Sequence, residues 1–136
     1  MSDPENNATR WLRAAKEDLA YARHAANGGF HAPSCFHSQQ AAEKALKAVH
    51  YARGARVVIG HSVRRLIESL QPGEELLTAR LDGARELDLL YVPSRYPNGL
   101  EAGSPGEAIG SVQSTRGLEH AEGIVEAAAR ILSELA

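Results

Sequence analysis

Apolar residues at Leu12, Ala15, Leu19, Ala22 and Ala26 advance by alternating steps of three and four. That spacing gathers side chains on one face of an α-helix, and Asn27-Gly28-Gly29 supplies its stop. A second helix is predicted from near Pro33, whose fixed φ suits a first turn, to about Arg53 before Gly54. At about 100° per residue, Cys35, Gln39, Ala42, Leu46 and Val49 share one face of it. The Gln39 amide is therefore expected to point inward and to find a partner there, because leaving it unpaired costs about 1–3 kcal/mol. Glu43 and Lys47 stand four apart on the flank, a pair worth only about 0.2–0.5 kcal/mol on an exposed helix.

Val63, Leu66, Ile67 and Leu70 predict a short third helix, stopped by Gln71-Pro72-Gly73. Leu77, Leu81, Ala84 and Leu87 predict a fourth that reaches Tyr91. Pro93 and Pro97 forbid regular helix through "YVPSRYPNGLEAG" and make it an irregular connector. Ser104-Pro105-Gly106-Glu107 reads as a capping box with proline at the first helical position. It opens a last helix whose stripe is Leu118, Ala121, Val125, Ala128, Leu132 and Leu135. No stretch alternates as a strand does, and Val57 to Ile59 is too short to build a sheet. The expectation is one all-α antiparallel bundle of about five helices over residues 10–136, with residues 1–9 flexible.

A length of 136 residues suits a single domain. No apolar run nears the roughly 18 residues that span a bilayer, and no secretory signal opens the chain, so a cytoplasmic protein is expected. Cys35 is the only cysteine, which excludes an intrachain disulfide and a thiolate-rich zinc site. The six histidines show no metal-ligand spacing, and no glycine-rich phosphate loop is present; neither metal nor cofactor is expected. The net charge of −2 argues against a domain that coats polyanions over its whole surface. Charge is nevertheless segregated. Residues 44–67 hold six Lys and Arg and no Asp or Glu, leaving 9 basic and 17 acidic residues elsewhere, and a local anion site follows.

Ala32 to Ala48, "APSCFHSQQAAEKALKA", resembles the signature helix of the prokaryotic HEPN domain family. Other landmarks follow in order: "AAKEDLAYA" (14–22), Gly29-Phe30, "GHSVRRLIESL" (60–70) and "LLYVPSRYP" (89–97). The resemblance runs from about Arg10 to Leu132. It implies a compact bundle, commonly a homodimer, that handles nucleotides or RNA. It also implies a nucleotidyltransferase-type protein partner in a toxin and antitoxin arrangement. Many of the family's ribonucleases carry Arg, four to six residues, then His, with two copies forming one metal-free site. The chain departs there, for no histidine follows Arg95 until His120.

Two arrangements remain as chemistry. Arg95 and Tyr96 sit on a connector stiffened by two prolines, where an arginine fork can grip phosphate and a tyrosine ring can stack on a base. Asp88 or Glu43 would instead pair with Arg95 if its role were structural. Arg56 and His61 satisfy the Arg-x4-His spacing; His61 would serve as general base and an arginine would steady the phosphate. The candidate catalytic residues are accordingly Arg95 and His61, and the candidate nucleotide-binding residues are Gln40, Glu43, Lys44, Lys47, Arg95 and Tyr96. Tyr91 or Tyr96 would be the acceptor if the partner modifies a tyrosine, and nothing selects between them. Arg53, Arg64 and Arg65 are candidates for a basic rim near helix ends. The leading reading is a nucleotide- or RNA-binding module. The alternatives are a metal-independent ribonuclease using Arg95 with a base such as His61, and a non-catalytic helical assembly protein.

Overall fold

The computed structural model describes residues 6–135. Helix α1 (Asn7–Asn27) starts where the Asn6 side chain accepts from the Thr9 amide at 2.9 Å, a side-chain N-cap. Residues 7–9, expected to be flexible, are thus helical; positions 1–5 of that stretch lie outside the described residues. A tight turn through Gly28 and Gly29 leads into α2 (His31–Ala52). α2 begins two residues before Pro33, because Phe30 closes the first turn by accepting from the Ser34 amide.

α2 is the axis of the molecule, packed by α1 on one side and by α7 (Ser111–Leu135) on another. Cys35, Gln39, Ala42, Leu46 and Val49 are fully buried, as their shared face requires, and so are Ala41, Ala45 and Ala48. Alanine on α2 and at Ala15 and Ala22 of α1 lets the helices approach closely, so burial runs nearly all round α2. Glu43 and Lys47, expected on an exposed flank, are consequently only 4% and 7% exposed.

α3 (Val63–Glu68) is capped by Ser62 and buries Val63, Leu66 and Ile67. The predicted fourth helix is two: α4 (Glu75–Thr78) and α5 (Leu81–Leu90). Thr78 turns its hydroxyl onto the carbonyls of Glu74 and Glu75, and the chain bends at Arg80. The bend lets α4 pack on α7 while α5 packs on α2, α3 and α7. The predicted last helix is also divided. The capping box forms at Ser104 and Glu107 and opens α6 (Pro105–Ala108); Ile109 then turns extended and drops into a small apolar cluster with Ala32 and Cys35. Gln113 restarts the chain as α7 by accepting from the Gly110 amide at 2.9 Å. Among the described residues all regular structure is helical, and no helix is long and apolar enough to cross a membrane.

Candidate functional site

The connector after α5 folds back on itself. Ser94 donates its amide to Leu90, and both Arg95 and Tyr96 donate theirs to Val92. These turns carry the Arg95 guanidinium over three rings: its carbon lies 4.6 Å from the centre of Tyr91, 4.7 Å from Tyr96 and 4.8 Å from Phe36 of α2. Each such contact contributes about 0.5–2 kcal/mol depending on desolvation, so the rings hold the guanidinium with no carboxylate partner among the described residues. The pairing of Arg95 with Asp88 or Glu43 that a structural role would bring does not form. Its Nε is buried without a partner among the described residues.

His61 reaches the same Tyr91 ring from the other end of the chain's middle section, stacking at 5.2 Å and 20°. Two residues of α2 aim it. Gln39 donates its amide to the His61 carbonyl at 2.8 Å, and the Glu43 carboxylate lies 3.2 Å from His61 Nδ1. Glu43 also accepts from Lys47 at 3.0 Å and from Gln39 at 3.2 Å, with Gln40 at 3.4 Å. Gln40 in turn donates to Gln39 Oε1 at 2.7 Å, which answers the demand of a buried amide for partners. A proton on Nδ1 satisfies the carboxylate and leaves Nε2 as the open nitrogen of a ring 61% exposed.

Beside this stack lies a cleft of about 580 Å³ lined by His61 and Tyr91, by Arg64, Arg65 and Arg85, and by Ser62, Asp88 and Leu89. Asp88 does not oppose the arginines as a free charge. It reaches across from α5 to accept from the amides of Val63 and Arg64 at 2.6 and 3.1 Å and from the Ser62 hydroxyl at 2.9 Å. The anion position at the start of α3 is therefore filled by the protein's own carboxylate. Arg64 pairs with Glu68 and Arg85 with Asp82. Both pairs are exposed and worth at most about 1 kcal/mol, so an incoming phosphate can recruit either arginine at little cost.

The structure thus sets His61 and Arg95 against Tyr91, with Glu43 and Gln40 behind His61 and Tyr96 against Arg95. Lys47 joins as the buried counter-ion of Glu43. Lys44 goes elsewhere: it pairs with buried Asp18 of α1 at 2.5 Å, where His37 also binds at 2.9 Å, so it does not share a solvated face with Lys47. Arg53 is tied to Glu74 and to the Pro72 carbonyl, and Arg56 does not line the cleft. The Arg-x4-His spacing is thus not what brings an arginine to His61; Arg95 comes instead, one ring away. His120 is committed to Glu86 at 3.0 Å. Phe36 and Arg85 were not among the expected site residues, and Tyr91 was expected only as a candidate modification acceptor. Phe36 stands four residues before Gln40 on one helix face, a signal that periodicity could have supplied. Among the described residues no group of three or more His, Cys, Asp or Glu is placed to hold a metal ion.

The HEPN domain model matches residues 8–135. Among solved structures, TT1696 from Thermus thermophilus is 33% identical, with a TM-score of 0.85 over 93% of this chain and 99% of that one. ST0689, described as an archaeal HEPN homologue, is 32% identical with a TM-score of 0.62 over 96% of each chain. The HEPN domain protein TM0613 of Thermotoga maritima is 34% identical with a TM-score of 0.55 over 93% of each. No curated protein matches. The match begins in the first turn of α1 and ends in the last turn of α7, taking in every element that builds the site: this chain belongs to the HEPN domain family.

Proposed function

We propose that the chain is a nucleotide- or RNA-binding module whose site is the cleft at His61 and Tyr91, extended past the Tyr91 ring to the guanidinium of Arg95. The observation that carries this is the guanidinium of Arg95, held by three rings and separated from His61 by the single ring of Tyr91. Arginine offers planar, bidentate donors to a phosphate oxygen pair, and aromatic faces stack on bases irrespective of sequence. Arg64, Arg65 and Arg85 extend the positive lining along the cleft, so a ligand longer than a mononucleotide is accommodated.

The same reading includes a homodimer beside a nucleotidyltransferase-type partner, in a toxin and antitoxin arrangement within the cytoplasm. Support for a second copy comes from exposed Leu89 and Val112, which line a groove next to the cleft together with the oppositely charged Glu86 and Arg116. A patch carrying both signs can complement itself across a two-fold axis. Sedimentation at micromolar concentration tests this: a dimer that Leu89→Asp and Val112→Asp reduce to monomers is expected, and a wild-type monomer contradicts it.

One geometry favours a second reading, a metal-independent ribonuclease. His61, polarised by Glu43, is an oriented general base, and Arg95 stands where it can steady phosphate charge. Incubation of a labelled RNA with the protein in EDTA separates the two. Cleavage lost in both His61→Ala and Arg95→Ala supports the enzyme, and binding without cleavage supports the module.

A further inference from the structure

We propose that residues 57–59, with Arg56 beside them, are a short docking strand that takes an extended, acidic segment of a protein partner by adding it edge to edge. This rests on a different surface from the cleft and stands independently of it. Gly54 and Gly60 adopt φ of 98° and 106° with no atom within 4 Å of the position a Cβ would take. Only glycine enters that region readily, so the two glycines fold the chain out of α2 and back into α3, displaying what lies between.

Side chains in the segment alternate. Val57 is 75% exposed, Val58 packs against the main core, and Ile59 is 83% exposed. That period of two belongs to extended backbone, and Val-Val-Ile is a sequence suited to strands. Among the described residues no backbone hydrogen bond joins residues 56–60 to the rest of the chain. The segment therefore offers open donors and acceptors with β-branched side chains beside them, the combination that captures a further strand.

Charge identifies the occupant. Of the six basic residues in the stretch, Lys44, Lys47, Arg53 and Arg64 each have a carboxylate partner, while Arg65, exposed on α3 and also without an ion pair among the described residues, lies outside the segment. Arg56, at the start of the segment, is exposed and forms no ion pair among the described residues. A second copy does not answer it: antiparallel self-pairing centred on Val58 sets Val57 against Ile59 and Arg56 against Gly60, with no carboxylate for the arginine. An acidic partner strand satisfies the backbone, the apolar pair and Arg56 together.

The test uses the full chain and fluorescein-labelled nonapeptides of alternating valine and glutamate, read by anisotropy. One control peptide has proline at alternate positions, removing the N–H donors, and another has lysine in place of glutamate. Saturable binding of the glutamate peptide is expected, weakened at least about tenfold by Val57→Asp with Ile59→Asp. Arg56→Glu should reverse the preference toward the lysine peptide. These positions are exposed, and circular dichroism confirms that each variant is folded. The proposal is overturned if the glutamate peptide does not saturate below about 1 mM, if the proline peptide binds equally, or if the variants leave its affinity unchanged. It is overturned equally if Val57→Asp with Ile59→Asp abolishes self-association, which would make the segment a contact between copies.

Discussion

The side-chain amide of Gln39 donates to the backbone carbonyl of His61 at 2.8 Å, joining the middle of the central helix to the loop that leads into α3. The amide is fully buried, so this bond fixes where His61 sits and hence where its ring meets Tyr91. Gln39→Ala removes it, leaves the His61 carbonyl and Gln40 short of a partner, and opens a cavity. A loss of about 2–4 kcal/mol is expected in denaturant unfolding. Exchange of the Val63 and Arg64 amides, which Asp88 accepts at the start of α3, should quicken by more than that of the α7 core.

Glu43 and Lys47 form a buried ion pair, and breaking it should cost more than removing it. Lys47→Met alone leaves a buried carboxylate without its counter-ion, at about 3–5 kcal/mol. Changing both, to Glu43→Leu with Lys47→Met, should recover most of that loss in the same unfolding assay. The double variant should still lose His61 positioning, because the carboxylate beside Nδ1 is gone.

Glu86 clamps α5 to α7, and the Arg116 guanidinium beside it holds its carboxyl down at about 2, with His120 adding to the effect against some desolvation. A folded-state value depressed below the ordinary one means that the clamp stabilises above about pH 4.5 and is lost as pH falls toward 2. Glu86→Gln should therefore lower the melting temperature at pH 7 and flatten its fall between pH 5 and 2. Equal acid sensitivity in variant and wild type would remove Glu86 from the account.

Burial pushes the Cys35 thiol up to about 11. Almost no thiolate exists at pH 8, and the sulfur is enclosed. Iodoacetamide at pH 8 should leave the native protein unmodified over hours and label it in denaturant within minutes.

Much of the fold was legible because helical spacing and caps are local. Ser104 and Glu107 announced their capping box, and the Cys35 to Val49 stripe announced the face that is buried. The divisions at Arg80 and Ile109 were not legible, since they arise where one side chain or one short helix must reach a particular neighbour. Burial of Glu43 and Lys47 was missed for the same reason: a single helix cannot show that others cover both its flanks. In the site, Arg95 and Tyr96 were marked by two prolines, whereas the meeting of Arg95 and His61 on Tyr91 joins residues 34 apart in sequence. The charge run of residues 44–67 misled in part, because its lysines are neutralised by Asp18 and Glu43, which lie outside it.

The most direct measurement is equilibrium binding of a labelled single-stranded RNA to wild type, Arg95→Lys, Arg95→Ala and Tyr91→Ala, repeated over a range of salt. If the site is the cleft together with Arg95 beyond the Tyr91 ring, Arg95→Ala weakens binding about ten- to a hundredfold and shallows the salt slope by about one. Arg95→Lys should recover only part, because an ammonium lacks the planar fork that the three rings hold. Tyr91→Ala should weaken binding with little change in slope. Affinity unchanged in Arg95→Ala and Tyr91→Ala, with folding intact, would contradict the assignment of the cleft.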